Sequence, residues 1–238
     1  MMINTLNESD FHKKIKKIYA LENNGTTEVA AEGYIADILC PKKEIIEIQT
    51  GSFSHLKAKI KTFLDKKYKV TVVFPFAAVK IIETKDNNSK IISRRKSPLK
   101  KNYYTCFREL TSIQEYILHK NLTIHLLPCT ITEERLQTEE LVQSVNKKRR
   151  FLKNYLKTGK RLEDTGKRLI LKNKKDYLKL LLNFSSKDFT IKEFSLYLKE
   201  NGFSVTDRYL RNFIWLLEKK EIIYRKDKKG RQILYSPC

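Results

Sequence analysis

Asp37 and Glu47 are the residues whose type and placement point most directly to chemistry. Each is a lone acid inside an apolar run, "YIADILC" and "EIIEIQT", and Gln49 follows Glu47 by two positions. A carboxylate in such a run is costly unless a cation or hydrogen-bond donors receive it. On strands, where side chains alternate between faces, Glu47 and Gln49 share a side, and a hairpin that turns Asp37 to the same side brings three polar groups together. Hard divalent ions such as Mg²⁺ or Mn²⁺ take one or two carboxylates plus water and substrate phosphate. An ion of this kind serves in-line attack at phosphorus. The plain structural alternative has Asp37 capping a turn and Glu47 paired with Lys42 or Lys43 on an exposed edge.

The elements that position these acids follow from periodicity. Residues 8–22 place Phe11, Ile15, Ile18 and Leu21 on one helical face, and "NNG" ends the helix. Residues 26–39 read as extended, "CPKK" as a connection, and residues 44–50 as a second, antiparallel strand. Residues 53–65 carry a helical stripe of Phe53, Leu56, Ile60 and Phe63, after which "YKVTVVFP" suits a strand buried on both faces. Two strands are expected around "DNNS", a helix over 107–118, a strand in "LTIHLLPCTIT" and a polar helix over 133–146.

Charge is concentrated towards the end of the chain. The whole carries +22; residues 1–145 hold 23 basic and 17 acidic residues, and residues 146–238 hold 26 and 10. Such an imbalance suits a polyanion partner, DNA in this reading. Residues 147–173 read as a basic linker. Residues 174–238 read as three helices and a basic hairpin: Thr190 and Glu193 form a capping box, Asn201-Gly202 closes that helix, Thr206 caps the next, and "DKKG" turns the hairpin. This is the winged helix-turn-helix pattern, in which the third helix, with Arg208, Arg211 and Asn212, enters the major groove and Lys228, Lys229 and Arg231 touch the backbone. Arg94, Arg95 and Lys96 form a second phosphate clamp, while His12, His55 and Trp215 read as surface or packing residues. The four scattered cysteines show no zinc spacing, no segment has the length and apolarity of a membrane span, and no secretory leader is visible, so a cytoplasmic location is expected.

"IADIL", then "IIEIQTGS", then a helix and the "YKVTVVFP" strand, resemble the PD-(D/E)xK nuclease superfamily, most of all the CoiA-type competence-protein nucleases, over about residues 8–76. With "RRKSP", "FREL" and the C-terminal segment, the chain also resembles a bacterial family that joins such a core to a winged helix. The resemblance implies an α/β fold: a restriction-endonuclease-like mixed sheet flanked by helices over residues 1–146, then the linker and the winged helix. It implies a metal at Asp37 and Glu47 and places Gln49 where the superfamily has a water-positioning lysine. Lys57 and Lys61 are the stand-ins for that missing charge, and Glu28, ahead of Glu8 and Glu32, is the additional acid. The activity implied is metal-dependent hydrolysis of DNA phosphodiesters. The alternatives are a non-catalytic DNA-binding regulator on an inactive nuclease fold, and an RNA- or protein-interaction factor.

Overall fold

The computed structural model describes residues 9–145, 147 and 149–238. Its centre is an eight-stranded mixed sheet in the order β1-β2-β3-β4-β6-β7, with β5 paired to β4 and β8 to β6. The strands are β1 (Thr26–Ala31), β2 (Tyr34–Cys40), β3 (Glu44–Ile48), β4 (Lys69–Lys85), β5 (Ile91–Lys96), β6 (Leu122–Val142), β7 (Lys153–Thr165) and β8 (Leu169–Leu171). β1, β2 and β3 form an antiparallel meander, whereas β3, β4 and β6 run parallel. The segment expected to be one extended run over 26–39 is therefore a hairpin. Its turn is Glu32-Gly33, and both residues have positive φ, which Gly33 adopts without Cβ strain.

Helices cover both faces, as an apolar sheet requires. Helix α1 (Asp10–Glu22) buries Phe11, Ile15 and Tyr19 on one face against Ile38, Ile46, Ile48 and Val73. On the other face, α2 (Lys57–Asp65) and α3 (Tyr103–Leu110) pack over Ile45, Val72 and Phe74. The helix expected over 107–118 begins earlier, at Tyr103, and passes into a short 3-10 turn at Thr111–Ile113.

The C-terminal part comprises α4 (Lys174–Leu178), α5 (Ile191–Glu200), α6 (Asp207–Lys219) and a small sheet of β9 (Phe189–Thr190), β10 (Ile223–Lys229) and β11 (Gln232–Pro237) in the order β10-β11-β9. The Thr190–Glu193 capping box is present, with the Glu193 N–H donating to Thr190 Oγ1 at 3.2 Å. Gly202 takes φ +79 just past α5. Thr206 stands at the start of α6, but its side chain makes no capping bond. These helices share a core with α3: Phe213 lies 5.3 Å from Tyr104 and 4.7 Å from Phe107, ring centre to ring centre, and Tyr104 also meets Phe194 and Phe203 edge-on.

Two expectations are corrected here. Residues 133–142 are not a polar helix but the end of β6, and residues 153–165, expected within a linker, are β7 paired to it. The physical reason is cross-strand charge pairing. Glu133 receives Arg135, Lys80 and Lys157, and Glu134 receives Arg161 at 2.8 Å. Acids that suit a helix when taken alone are thus satisfied by Lys80, Lys157 and Arg161 of neighbouring strands, together with Arg135 of β6 itself, and the tertiary partners override propensity.

The shared aromatic core predicts cooperative unfolding. Phe213→Ala removes a fully buried ring and should cost about 3–5 kcal/mol. Far-ultraviolet and near-ultraviolet circular dichroism should still report one transition; a separate transition for the C-terminal part would contradict this packing.

Candidate active site

Asp37 on β2 and Glu47 on β3 stand where the strand ladder opens. The β2–β3 pairing runs Cys40 with Glu44, Leu39 with Ile45 and Ile38 with Ile46, and stops before Asp37. Continuing that register sets Asp37 opposite Glu47. Here the side chains take over from the backbone: Asp37 N–H donates to Glu47 Oε1 at 3.3 Å, and Ile48 N–H donates to Asp37 Oδ2 at 2.8 Å. Each acid thus receives a backbone donor at the other's strand, and the two carboxylates are held together.

The β1–β2 ladder breaks at the same level. Thr27 pairs with Ile38 and Val29 with Ala36, but Glu28 between them takes φ +58. A non-glycine residue in that region carries about 1 kcal/mol or more of strain. The break leaves Asp37 N–H free to turn to Glu47. Glu28 therefore occupies the register position beside Asp37, yet its carboxylate goes to Lys16 of α1 at 2.9 Å and not to the acid pair. Glu32 accepts from the Tyr68 hydroxyl at 3.3 Å, and Glu8 lies outside the described residues.

The cation at the site is Lys59. Its Nζ lies 2.5 Å from Glu47 Oε2 and 2.6 Å from the Ile35 carbonyl oxygen, and donates to both. The expected stand-ins are engaged elsewhere: Lys57 pairs with Glu115 at 2.9 Å and Lys61 with Asp65 at 2.8 Å. Lys59 has a sequence signal of its own. It sits three residues after Leu56 and four before Phe63, both in the buried stripe, so its stem borders the core while its ammonium reaches over the edge. Gln49 turns away; its amide donates to the Ser52 carbonyl of the following turn.

His12, expected as a surface or packing residue, borders the pair. Its Nε2 is 2.7 Å from the Ile48 carbonyl oxygen, to which it donates, and 3.7 Å from Asp37 Oδ2. The periodicity that puts Phe11 and Ile15 in the core leaves His12 at the rim of α1, next to the end of β3.

The two acids are unequal. Glu47 is 2 % exposed, and burial first, then the Asp37 charge, push its pKa up to about 7 against the pull of Lys59. The Asp37 side chain is 22 % exposed and forms the open side of the site. Among the described residues no group of three or more His, Cys, Asp or Glu gathers to hold a metal. What is present is a pair of hard carboxylates opposed by one half-buried lysine, and this donor set fits a single hard divalent ion that completes its shell with water and substrate oxygens. Asp37 and Glu47 would hold it.

The expected DNA-contacting residues are divided. Alternation along β5 separates the Arg94-Arg95-Lys96 run: Arg94 stands opposite Glu83, with Nε 4.0 Å from its carboxylate, while Arg95 stands opposite Ile82 and lines a separate groove. Arg208 and Arg211 are exposed on α6 and Asn212 is half-buried. Lys228 and Lys229 lie at the tip of the β10–β11 hairpin with Arg231. Lys229 is held by Glu193 at 2.7 Å, and Arg211 and Arg231 line a groove of about 470 Å³ between α5, α6 and the hairpin. Trp215 is 45 % exposed on α6 and is not a core residue.

A mixed sheet flanked by helices, with an opposed acid pair and a lysine where one ladder opens, defines the chain as a mixed α/β protein with a carboxylate site. It belongs to the family described as a domain of unknown function, DUF8091, whose model matches residues 9–172, from the start of α1 to just past β8. An uncharacterised protein of Treponema pallidum (strain Nichols) is 28 % identical over 127 residues, covering 53 % of this chain and 50 % of the relative. The chain thus spans about half the length of that relative. No solved structure gives a significant match.

The raised pKa of Glu47 has a defined consequence for stability. A carboxyl that binds its proton more tightly folded than unfolded contributes fully below its ordinary pKa of 4.5, and this contribution is lost as the pH rises through about 7. Denaturant unfolding should lose up to about 3 kcal/mol between pH 5 and pH 8 from this group. Glu47→Gln should flatten the profile over that range, and an unchanged profile in the variant would remove Glu47 as its source.

Proposed function

We propose that the protein is a metal-dependent DNA endonuclease of the PD-(D/E)xK type, with a restriction-endonuclease-like core and a C-terminal winged helix that docks duplex DNA. The observation that carries this reading is the opposed pair Asp37 and Glu47 with Lys59 on Glu47. In the motif reading Gln49 leaves the site without a positive charge; Lys59, from the next helix, supplies one at the same carboxylate. Mg²⁺ or Mn²⁺ held by Asp37 and Glu47 would supply Lewis-acid polarisation of the scissile phosphodiester.

The chain's own groups have separable roles. The Lys59 ammonium has three N–H donors, two of which go to Glu47 and Ile35, and the third is free for a phosphate oxygen or the attacking water. A fixed cation in a partly dry site stabilises charge that develops in the transition state. Lys59 also opposes the rise in the Glu47 pKa and so keeps a larger fraction of that carboxylate ionised near neutral pH. Asp37 offers the solvent-facing oxygens, and His12 fixes the Ile48 carbonyl beside them.

The C-terminal part supports the docking half of the reading. Helices α4, α5 and α6 are followed by a hairpin whose β11 pairs with β9, an order that supports the winged-helix reading. Helix α6 buries Leu210, Phe213, Ile214 and Leu217 and leaves Arg208 and Arg211 outward, suited to a major groove. No helix among the described residues is long and apolar enough to cross a membrane, and a DNA substrate fits the cytoplasmic location expected from the sequence.

Supercoiled plasmid incubated with Mg²⁺ or Mn²⁺ tests the activity. Wild-type protein should nick or linearise it, and Asp37→Ala, Glu47→Ala and Lys59→Ala should each lose about 10² or more of the rate. Gln49→Ala should stay within about tenfold of wild type, because its amide serves the 49–52 turn. Wild-type inactivity with retained duplex binding would replace this reading with the non-catalytic DNA-binding regulator. Arg208→Ala/Arg211→Ala should weaken duplex binding without altering the cleavage defect pattern of the acids.

A further inference from the structure

A second feature lies away from the acid pair, on the extended halves of β4 and β6 with β5 and β7 beside them. Thr84 of β4, Ser93 and Arg95 of β5, Arg135 of β6, and Lys153 and Tyr155 of β7 line one groove of about 560 Å³. Strand register explains the gathering: Thr84 pairs with Ser93 on one side and with Arg135 on the other, and Gln137 pairs with Tyr155, so these side chains share a face. Among the described residues lining the groove there are three cations and no acid.

Arg135 is prepared as a receptor. Its Nε and Nη2 both donate to Glu133 Oε1, at 2.8 and 2.6 Å, and its guanidinium carbon lies 4.0 Å from the centre of the Tyr155 ring. That fixes the plane of the fork before any ligand arrives and leaves Nη1 free, the pre-organisation that suits arginine to phosphate. Arg149 lies 5.1 Å from the same ring, so Tyr155 is flanked by two guanidinium groups.

The one acid beneath does not neutralise the groove. Glu133 is 2 % exposed and is shared by Arg135, Lys157 at 2.9 Å and Lys80 at 3.3 Å, three cations to one carboxylate. Nearby Lys160 is held below the usual lysine range by burial first and then by the charge of Lys157. Around Glu133 the cations outnumber the carboxylate, and Arg95 and Lys153 are exposed at the surface of the groove.

We propose that this groove is a phosphate-binding subsite for the DNA backbone, with Arg95, Arg135 and Lys153 as its contacts, working at a distance from the acid pair. This rests on DNA being the substrate, as proposed above. The strand β4 joins the two places: Val72 is the register partner of Glu47, and Thr84 is in the groove wall. The extra residue of β4 between Ala77 and Val79 changes its alternation, so Thr84 and Arg135 share the face of Ile131 whereas Glu47 and Val72 share that of Ile124, and the groove would receive phosphates on the face of the sheet opposite Glu47.

The test is fluorescence anisotropy of a labelled 24-base-pair duplex in EDTA, so that binding is read without cleavage. Arg95→Ala/Lys153→Ala removes two exposed side chains and should weaken binding about tenfold or more. It should also reduce the log–log salt slope by about 1.8, two contacts at about 0.9 each. Lys66→Ala/Lys199→Ala, an equal loss of charge elsewhere, is the comparison. An equal effect from that control, or wild-type binding by the groove variant, overturns the subsite while leaving the nuclease reading standing. Wild-type protein that binds no duplex overturns both.

Discussion

The constraint on which the candidate site depends is the opening of the β2–β3 ladder at the level of Asp37 and Glu47. Two backbone N–H groups, those of Asp37 and Ile48, lose their strand partners there and are satisfied by the carboxylates facing them. Buried donors are seldom left unpaired, so the acids are pinned by the same hydrogen bonds that complete the sheet. Two like charges are thereby kept close in a site where one of them is almost fully buried. The left-handed backbone of Glu28 is the local distortion that frees one of these donors. Lys59 from α2 and His12 from α1 then close on the pair from the two helical layers, which places the site at the junction of every layer of the core.

Two buried glutamates show how much the partners of a carboxylate contribute to its charge state. Glu47 and Glu133 are each about 2 % exposed. Glu47 has one lysine and a neighbouring carboxylate, and its pKa rises to about 7. For Glu133 burial also pulls upward, but hydrogen bonds from Lys157 and Arg135 and the charge of Lys80 outweigh it, and its pKa falls to about 2. Glu133 is a stable anion that organises a basic surface. Glu47 is poised, and any cation that joins it gains by relieving repulsion.

The sheet also explains how the C-terminal part is held. Helix α3 presents Tyr104 and Phe107 to α6, and the Tyr104 hydroxyl donates to the Leu180 carbonyl at 2.9 Å. The helices that carry Arg208 and Arg211 are consequently fixed to the sheet by an aromatic core, not carried on a loose tether. The basic segment between them and β6 contributes strands, and its cations face the acids of β6.

The linear chain was legible where the signal is local. The stripe of α1, the Thr190–Glu193 box, the Asn201-Gly202 stop and the alternation around Asp37 and Glu47 each depend on residues a few positions apart. They sufficed for a mixed α/β body and for the acid pair on neighbouring strands. What the sequence by itself did not determine depends on partners distant in the chain. Whether residues 133–142 are helix or strand is decided by cations twenty or more residues away, as with Lys157 on Glu133. Which of Lys57, Lys59 and Lys61 serves the site is decided by how α2 seats on the sheet, since residues two apart lie about 200° from each other around the helix. The loss of Glu28 to Lys16 follows from how α1 packs on the sheet, and the meeting of Arg95, Arg135 and Lys153 is a register effect across strands. Periodicity assigns a side chain to a face, and only the packed structure assigns it a neighbour.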